Sequence, residues 1–506
     1  MRTTFYKAWL LATLLFYFGT TYLFAERLEE GIEYKAEASA IVSNGDFAPF
    51  WMTNNKYGLS TTKNNSGYLR AGIFRDAKID YNKDWRFGYG ADIAVPFGMP
   101  SNFILQQIYG DFQWKALRLN IGQKERPLEL KNQMLSSGGM TSGINARPIP
   151  QIRLELPDFW TIPGTKNWAA VKAHIAYGWY TDNAWQREFT QGTNSLFTAN
   201  SLHHSKAGFL RIGNTTKFPI TLTGGLEMAC QFGGEGWNVT KRLDDKSNFD
   251  NSHVIMGHGL KNYYHAFIPG GSDQGDADYK NTEGNHLGSW HGRLDFHANQ
   301  YKIGVYAEHF FEDHSQMFLQ YGWKDMLYGI EFNLVKNPFV TSLLYEHTST
   351  TDQSGGIYHD ATPNMPEQIS GVDNYYNNGM YGGWHHSGFA LGSPLLISPI
   401  YNKDSKIYFY HNRIKAHHLG LCGSPSKCIS YKILYTHIKS LGTYLCPLDN
   451  PKYGDFLYAE ISFSPKKLQN LTITAAYGQN MGNLLSSCAG GNFTLAYSGL
   501  FNKRNK

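Results

Sequence analysis

Apolar and polar positions alternate with a period of two along much of this chain. Between Ile220 and Phe232 the even positions are Ile220, Leu222, Gly224, Leu226, Met228, Cys230 and Phe232. The odd positions are Thr221, Thr223, Gly225, Glu227, Ala229 and Gln231. Val171, Ala173, Ile175, Tyr177 and Trp179 oppose Lys172, His174, Ala176, Gly178 and Tyr180 in the same way. Ile429, Tyr431, Ile433 and Tyr435 alternate with Ser430, Lys432, Leu434 and Thr436, and Leu471, Ile473, Ala475 and Tyr477 with Thr472, Thr474, Ala476 and Gly478. Successive side chains on a strand point to opposite faces, so each segment reads as a strand with one greasy and one polar side.

Eighteen such strands are predicted. They start near Tyr34, Gly67, Trp85, Phe103, Ala116, Gln151, Trp168, Lys206, Pro219, Ser289, Tyr301, Asp325, Phe339, Lys406, Cys428, Asp455, Gln469 and Gly491. No run approaches the ~20 apolar residues of a spanning helix. A membrane chain without such helices must close into a barrel, because only helices and barrels satisfy their backbones in lipid. The expected class is therefore all-β: a transmembrane antiparallel β-barrel of about 18 strands, with a few short helices and long extracellular loops. A Lys or Arg on the lipid face near the midplane costs about 2–4 kcal/mol, so Lys172, Lys432 and Glu227 are expected to face the lumen. Phe493, Leu495, Tyr497 and Phe501 share one face of the last strand, the aromatic ending typical of such barrels, although Asn502–Lys506 follow it.

Two long connections break the rhythm, Gly233–Gly288 and Thr350–Ser405; connections this long are usually functional or disordered. Short connections, such as that at Asn299–Gln300, are expected on the periplasmic side. A short helix is expected over Pro127–Leu135.

Composition supports the barrel. Aromatic residues make up 15% of the 506 residues and charged residues 17%, against about 25% charged in soluble domains. The mean hydropathy of −0.41 excludes a helical transporter. The first 25 residues read as a signal peptide: Arg2 and Lys7 form a basic start and Ala8–Phe18 an apolar stretch. Residues 26–506 form the barrel. Removing the signal takes the net charge from +5 to +3, too little to argue for nucleic acid. Of the five cysteines, Cys422 and Cys428 flank a turn-like sequence; a disulfide closing the hairpin and free thiols at the rim both fit.

Candidate chemistry falls in three places. His411, Arg413, Lys415 and His417 share one face of a strand expected over Ile407–Leu421. They form either a basic luminal stripe for an acidic sugar polymer or a charge ladder paired with acids such as Glu227 and Glu346. The stretch Tyr375–His386 supplies Tyr375, Tyr376, Tyr381, Trp384 and His385, with aromatic faces for sugar rings and polar partners for hydroxyls. The bland reading is an aromatic cluster folding the loop over the barrel mouth. Lys124, Glu125, Arg126, Arg147, Arg153 and Glu155, with Lys172 and Glu227, read as a luminal charge network, since intramembrane charges pair when they can. Adjacent His pairs at His203, His385 and His417 are poor metal sites, because neighbours on a strand diverge. No nucleophile elbow or phosphate loop is present, so neither an enzyme nor a cofactor is expected.

Several segments resemble the Wzi capsule-assembly family as it occurs in Bacteroidetes-type bacteria. They are Phe47–Trp51 with Asn55–Gly58, Gly122–Arg126, Leu135–Met140, Asn145–Gln151, Ile162–Lys166, and Ser393–Pro399 with Ala416–Gly420. The resemblance runs along nearly the whole mature chain. It implies a Gram-negative outer-membrane barrel that acts as a lectin for capsular or exopolysaccharide at the cell surface, without enzyme activity. The expected partners are that polysaccharide and outer-membrane lipids, for a monomeric protein. The alternative is a porin-like channel for saccharides or anions.

Overall fold

The computed structural model describes residues 29–243, 248–269, 284–312, 317, 324–353 and 373–501. The signal segment 1–25 and the tail 502–506 lie outside the described residues. The alternating segments form eighteen strands that close on themselves. The first six are β1 (Glu33–Ser43), β2 (Asn65–Arg75), β3 (Trp85–Phe97), β4 (Ile104–Trp114), β5 (Leu117–Gln123) and β6 (Gln151–Thr161). Then come β7 (Ala169–Trp179), β8 (Leu202–Ile212), β9 (Ile220–Phe232), β10 (Asn285–His297), β11 (Tyr301–Glu312) and β12 (Met326–Leu334). The last six are β13 (Ser342–Ser349), β14 (Ile414–Ser426), β15 (Ile429–Gly442), β16 (Pro447–Phe463), β17 (Leu471–Gly482) and β18 (Cys488–Leu500). Each pairs antiparallel with its neighbours in sequence, and β18 returns to β1 with Leu500 opposite Glu33. Closure leaves no unpaired edge, which a sheet in lipid requires.

The faces separate as the period of two dictates. Leu222, Leu294 and Val305 point outward and are exposed, as are Phe493, Leu495 and Tyr497 on β18. Thr223 and Glu227, on the opposite face of β9, are buried inside. Exposed rings mark both rims of the wall. Trp85, Trp114, Trp168 and Tyr301 lie at the end with short connections, and Trp179, Tyr328, Tyr435 and Tyr453 towards the end with long ones. Such girdles place amphipathic rings at the two membrane interfaces. The outward-facing Lys206 is covered: the helix Leu260–Phe267 folds over the wall, and the Lys206 ammonium donates to the Phe267 carbonyl and sits over its ring.

The short-connection end holds tight turns. Lys115 adopts a positive φ of 51° in the two-residue link between β4 and β5. The long connections lie at the opposite end, and three of them fold into the lumen: residues 44–64, 124–150 and 373–413. Their apolar side chains form one core with the inner wall, including Phe50, Trp51, Leu135, Tyr376, Trp384 and Leu396 against Tyr306, Leu344, Ile438 and Phe456. Two wall glycines make room. A Cβ on Gly420 would lie 2.8 Å from the Leu135 Cβ, and one on Gly478 would lie 2.7 Å from the Pro49 Cβ. The barrel is therefore filled by its own loops.

Two local expectations are corrected, and one left open is decided. Pro127–Leu135 is not a helix: Leu130 takes a left-handed φ of 54° and Asn132 Oδ1 instead accepts from the amides of Met134 and Leu135. The strand expected over Ile407–Leu421 begins only at Ile414, because residues 402–413 still belong to the luminal segment. Of the two readings for Cys422 and Cys428, the structure shows free thiols and no disulfide, and β14 runs on to Ser426, so the turn is only Lys427–Cys428.

Candidate functional site

Wall acids hold the luminal segment 124–150 in place. Glu346 on β13 accepts from Ser136 Oγ at 2.7 Å, Ser137 N at 2.7 Å, Ser137 Oγ at 2.6 Å and Tyr306 Oη at 2.5 Å. Glu308 on β11 takes the Lys131 ammonium and the Met140 amide. Glu331 on β12 accepts from Asn132 at 2.9 Å and pairs with Arg293 at 2.9 Å. All three acids are buried; Glu308 and Glu331 are ion-paired, with Lys131 and Arg293, and Glu346 is satisfied by neutral donors alone.

A charged shell surrounds a cavity of about 120 Å³ beside this segment. Lys124 pairs with Asp111 at 2.5 Å. Glu125 pairs with Arg70 at 2.9 Å, and Arg70 also pairs with Asp92. Arg153 and Arg118 share Glu155, at 2.7 and 2.6 Å. Lys172 reaches Glu129 at 2.6 Å. Glu227 accepts from the Ser142 hydroxyl and stands 3.4 Å from His291. Arg126 donates to the Lys124 carbonyl at 3.0 Å and to Asn120 Oδ1 at 2.6 Å, both neutral acceptors. Burial, with Arg153 nearby, pushes the Arg126 guanidinium down to about 9. Arg147 lines the same cavity without an ion pair among the described residues, and burial lowers it too.

The predicted aromatic residues pack the lumen rather than a surface. Tyr375 and Tyr376 are fully buried; the Tyr375 hydroxyl donates to Asp325 at 3.0 Å and that of Tyr376 to the Met140 carbonyl. Trp384 donates to the Thr141 carbonyl at 2.8 Å. Tyr381 and His385 are buried beside them, and burial lowers His385 to about 4. The expected basic stripe is not on one face of the lumen. Lys415 and His417 point outward near the long-loop rim, and His417 Nδ1 lies 2.8 Å from the Tyr345 hydroxyl. Ile414 and Ala416 are the inward residues, because the core needs apolar side chains there. Arg413 precedes the strand and lies over the Tyr444 ring at 3.9 Å.

A different aromatic surface is assembled outside the lumen, above the rim. The hairpin Gly234–Leu243 with Asn248–Met256 pairs with Phe197–Ala199. This stacks Phe197 on Trp237 (6.1 Å, 6°) and Trp237 on His253 (3.8 Å, 16°), and His253 lies 3.0 Å from Glu235. Trp237 and His253 are exposed. Sequence reasoning passed over this group because its members come from two connections; Trp237 among glycines was its one visible trace.

The closed wall, its apolar outer face and its two aromatic girdles define a transmembrane β-barrel of the outer-membrane type. No family model matches the chain, and no curated protein matches it. Among solved structures it is similar to Wzi of Escherichia coli, an outer-membrane protein involved in group 1 capsule assembly and a carbohydrate-binding β-barrel. That likeness has a TM-score of 0.54 at 11% identity and covers 93% of this chain and 85% of that one. OccK2 (OpdF) of Pseudomonas aeruginosa, in complex with glucuronate, matches with a TM-score of 0.46 at 8% identity over 94% and 99%. OccAB4 of Acinetobacter baumannii matches with 0.45 at 9% identity over 94% and 98%.

Proposed function

We propose that this protein is an outer-membrane surface lectin of the Wzi capsule-assembly type. It is exported by residues 1–25 and binds and helps anchor or assemble a capsular or exopolysaccharide. On this reading the chain acts as a monomer among outer-membrane lipids, with no catalytic step and no cofactor. The filled lumen carries the proposal. Three connections pack the interior as a core does, which suits a rigid platform better than a wide pore. The likeness to a carbohydrate-binding barrel supports it. With Tyr375, Tyr376 and Trp384 buried, the surface best suited to a sugar is the stacked group of Phe197, Trp237 and His253, with Glu235 to accept from hydroxyls.

The test is binding of the purified protein to the acidic polysaccharide extracted from the producing cells. Trp237→Ala should weaken it about tenfold or more, the loss expected of an aromatic anchor. Undiminished binding removes this platform, and no binding by the unaltered protein removes the lectin reading. Planar-bilayer conductance separates the lectin from a channel for saccharides or anions, since a filled barrel should stay closed.

A further inference from the structure

We infer that the luminal cavity beside Arg126, Arg147 and Arg153 is a binding site for a small oxyanion, either the carboxylate of an acidic sugar or an inorganic oxyanion such as phosphate. The inference stands apart from the lectin reading and rests on unmatched donors. The cavity's volume of about 120 Å³ leaves room for a carboxylate or phosphate group.

Four cations line the cavity, Lys124, Arg126, Arg147 and Arg153, with two carboxylates, Glu129 and Glu227. Most are already engaged: Lys124 by Asp111, Arg153 by Glu155, Glu129 by Lys172, and Glu227 by Ser142 and His291. Two guanidiniums make no ion pair among the described residues, although carboxylates stand nearby, Asp182 for Arg147 and Glu155 and Asp111 for Arg126. Arg126 meets only neutral acceptors, and Arg147 Nε is buried with no acceptor. His174 Nε2 and His203 Nδ1, on β7 and β8, line the same cavity and also lack partners. Gln151 completes the lining with an unpartnered Oε1, and turning its amide over would present N–H groups instead.

Buried cations and donors left unpaired are costly, and an oxyanion offers what each of them lacks. Arg126 and Arg147 stand near the two ends of the segment 124–150, while Arg153, His174 and His203 belong to the wall. A bound anion would therefore tie this segment to the barrel and stabilise the filled state by mass action.

The test uses the full-length protein in detergent, in phosphate-free buffer, titrated calorimetrically with inorganic phosphate, sodium D-glucuronate and uncharged D-glucose. Phosphate or glucuronate should bind and raise the unfolding temperature, and glucose should not. Preference for glucuronate assigns the site to an acidic sugar, and preference for phosphate to an inorganic ion; both support it. Arg147→Gln should weaken binding about tenfold or more, as loss of a charge-assisted hydrogen bond does. Lys83→Gln, at an ion pair in the short connection between β2 and β3, should leave it unchanged. Without anion, Arg147→Gln should be no less stable than the unaltered protein, because it removes an unpaired cation. A purely structural arginine gives the reverse order, so a destabilised Arg147→Gln in anion-free buffer overturns the site. Binding of neither anion overturns it, as does an unchanged affinity in both Arg147→Gln and Arg126→Gln.

Discussion

Replacing Glu346 by Ala should loosen the segment 132–141 from the barrel wall while leaving the wall intact. The carboxylate accepts four hydrogen bonds of 2.5–2.7 Å, three from Ser136 and Ser137 of that segment and one from Tyr306 on β11. A hydrogen bond to a charged group contributes about 1.5–3 kcal/mol, and such terms are not additive within one network. The Ser137 amide cannot rotate to another acceptor as a hydroxyl can, so it bears an unpaired-donor penalty of about 1–3 kcal/mol. Together these put the loss at about 4 kcal/mol, which multiplies the locally open population by about a thousand. Hydrogen exchange followed by mass spectrometry reads that population directly where closing is fast. Peptides covering 132–141 should exchange about a thousandfold faster in Glu346→Ala, with peptides from β15 to β17 unchanged. Glu346→Gln keeps the shape and one acceptor and should fall between, near ~2 kcal/mol. Exchange within threefold of the unaltered protein in the Ala variant would refute the assignment of Glu346 as the latch.

Trp384→Ala removes a fully buried indole and its bond to Thr141, and should destabilise the luminal fold by about 3–5 kcal/mol, read by denaturant unfolding; a change below ~1 kcal/mol contradicts its core placement. Burial raises the Asp325 carboxyl to about 6. A raised carboxyl stabilises the fold most when protonated, and that contribution is lost as pH rises through 6. The unfolding temperature should therefore increase from pH 7 to pH 5 relative to Asp325→Asn, and a constant difference between the two counts against the shift. Gly478→Val must displace Pro49, whose Cβ would lie 2.7 Å from the new Cβ. It should cost about 1–3 kcal/mol by overpacking and open a measurable conductance in planar bilayers, where a silent variant would show that residues 44–64 are not wedged against β17. Leu222→Lys, on the exposed outer face of β9, should reduce folding into lipid vesicles by about 2–4 kcal/mol, an effect that should vanish if this face met water.

The wall was legible in the sequence because its physics is local. Alternation places Leu222 and Glu227 on opposite faces whatever the partner strands are, and each of the eighteen expected segments overlaps one observed strand. The starts furthest off, near Lys406 and Asp455 against Ile414 and Pro447, lie beside the luminal segment and in the one strand of seventeen residues, where period two alone marks no boundary. The face of β14 was misread for a related reason. Lys415 and His417 looked luminal by charge, but they stand near the rim, where an outward polar side chain reaches water or headgroups.

The candidate site was less legible. Tyr375 and Trp384 have the composition of a sugar platform and of a core alike, and only the fold into the lumen distinguishes the two. The cavity unites Arg126 and Arg147 from one connection with Arg153, His174 and His203 from three strands, and no spacing in the chain announces that meeting. The sequence by itself determined an all-β membrane barrel and which residues could face lipid, since a strand's side-chain period and the cost of burying charge need no distant partner. Tertiary structure alone decided that the lumen is filled and which cations go unpaired within it, because both depend on where long loops fold back, and that is settled by packing between residues far apart in the chain.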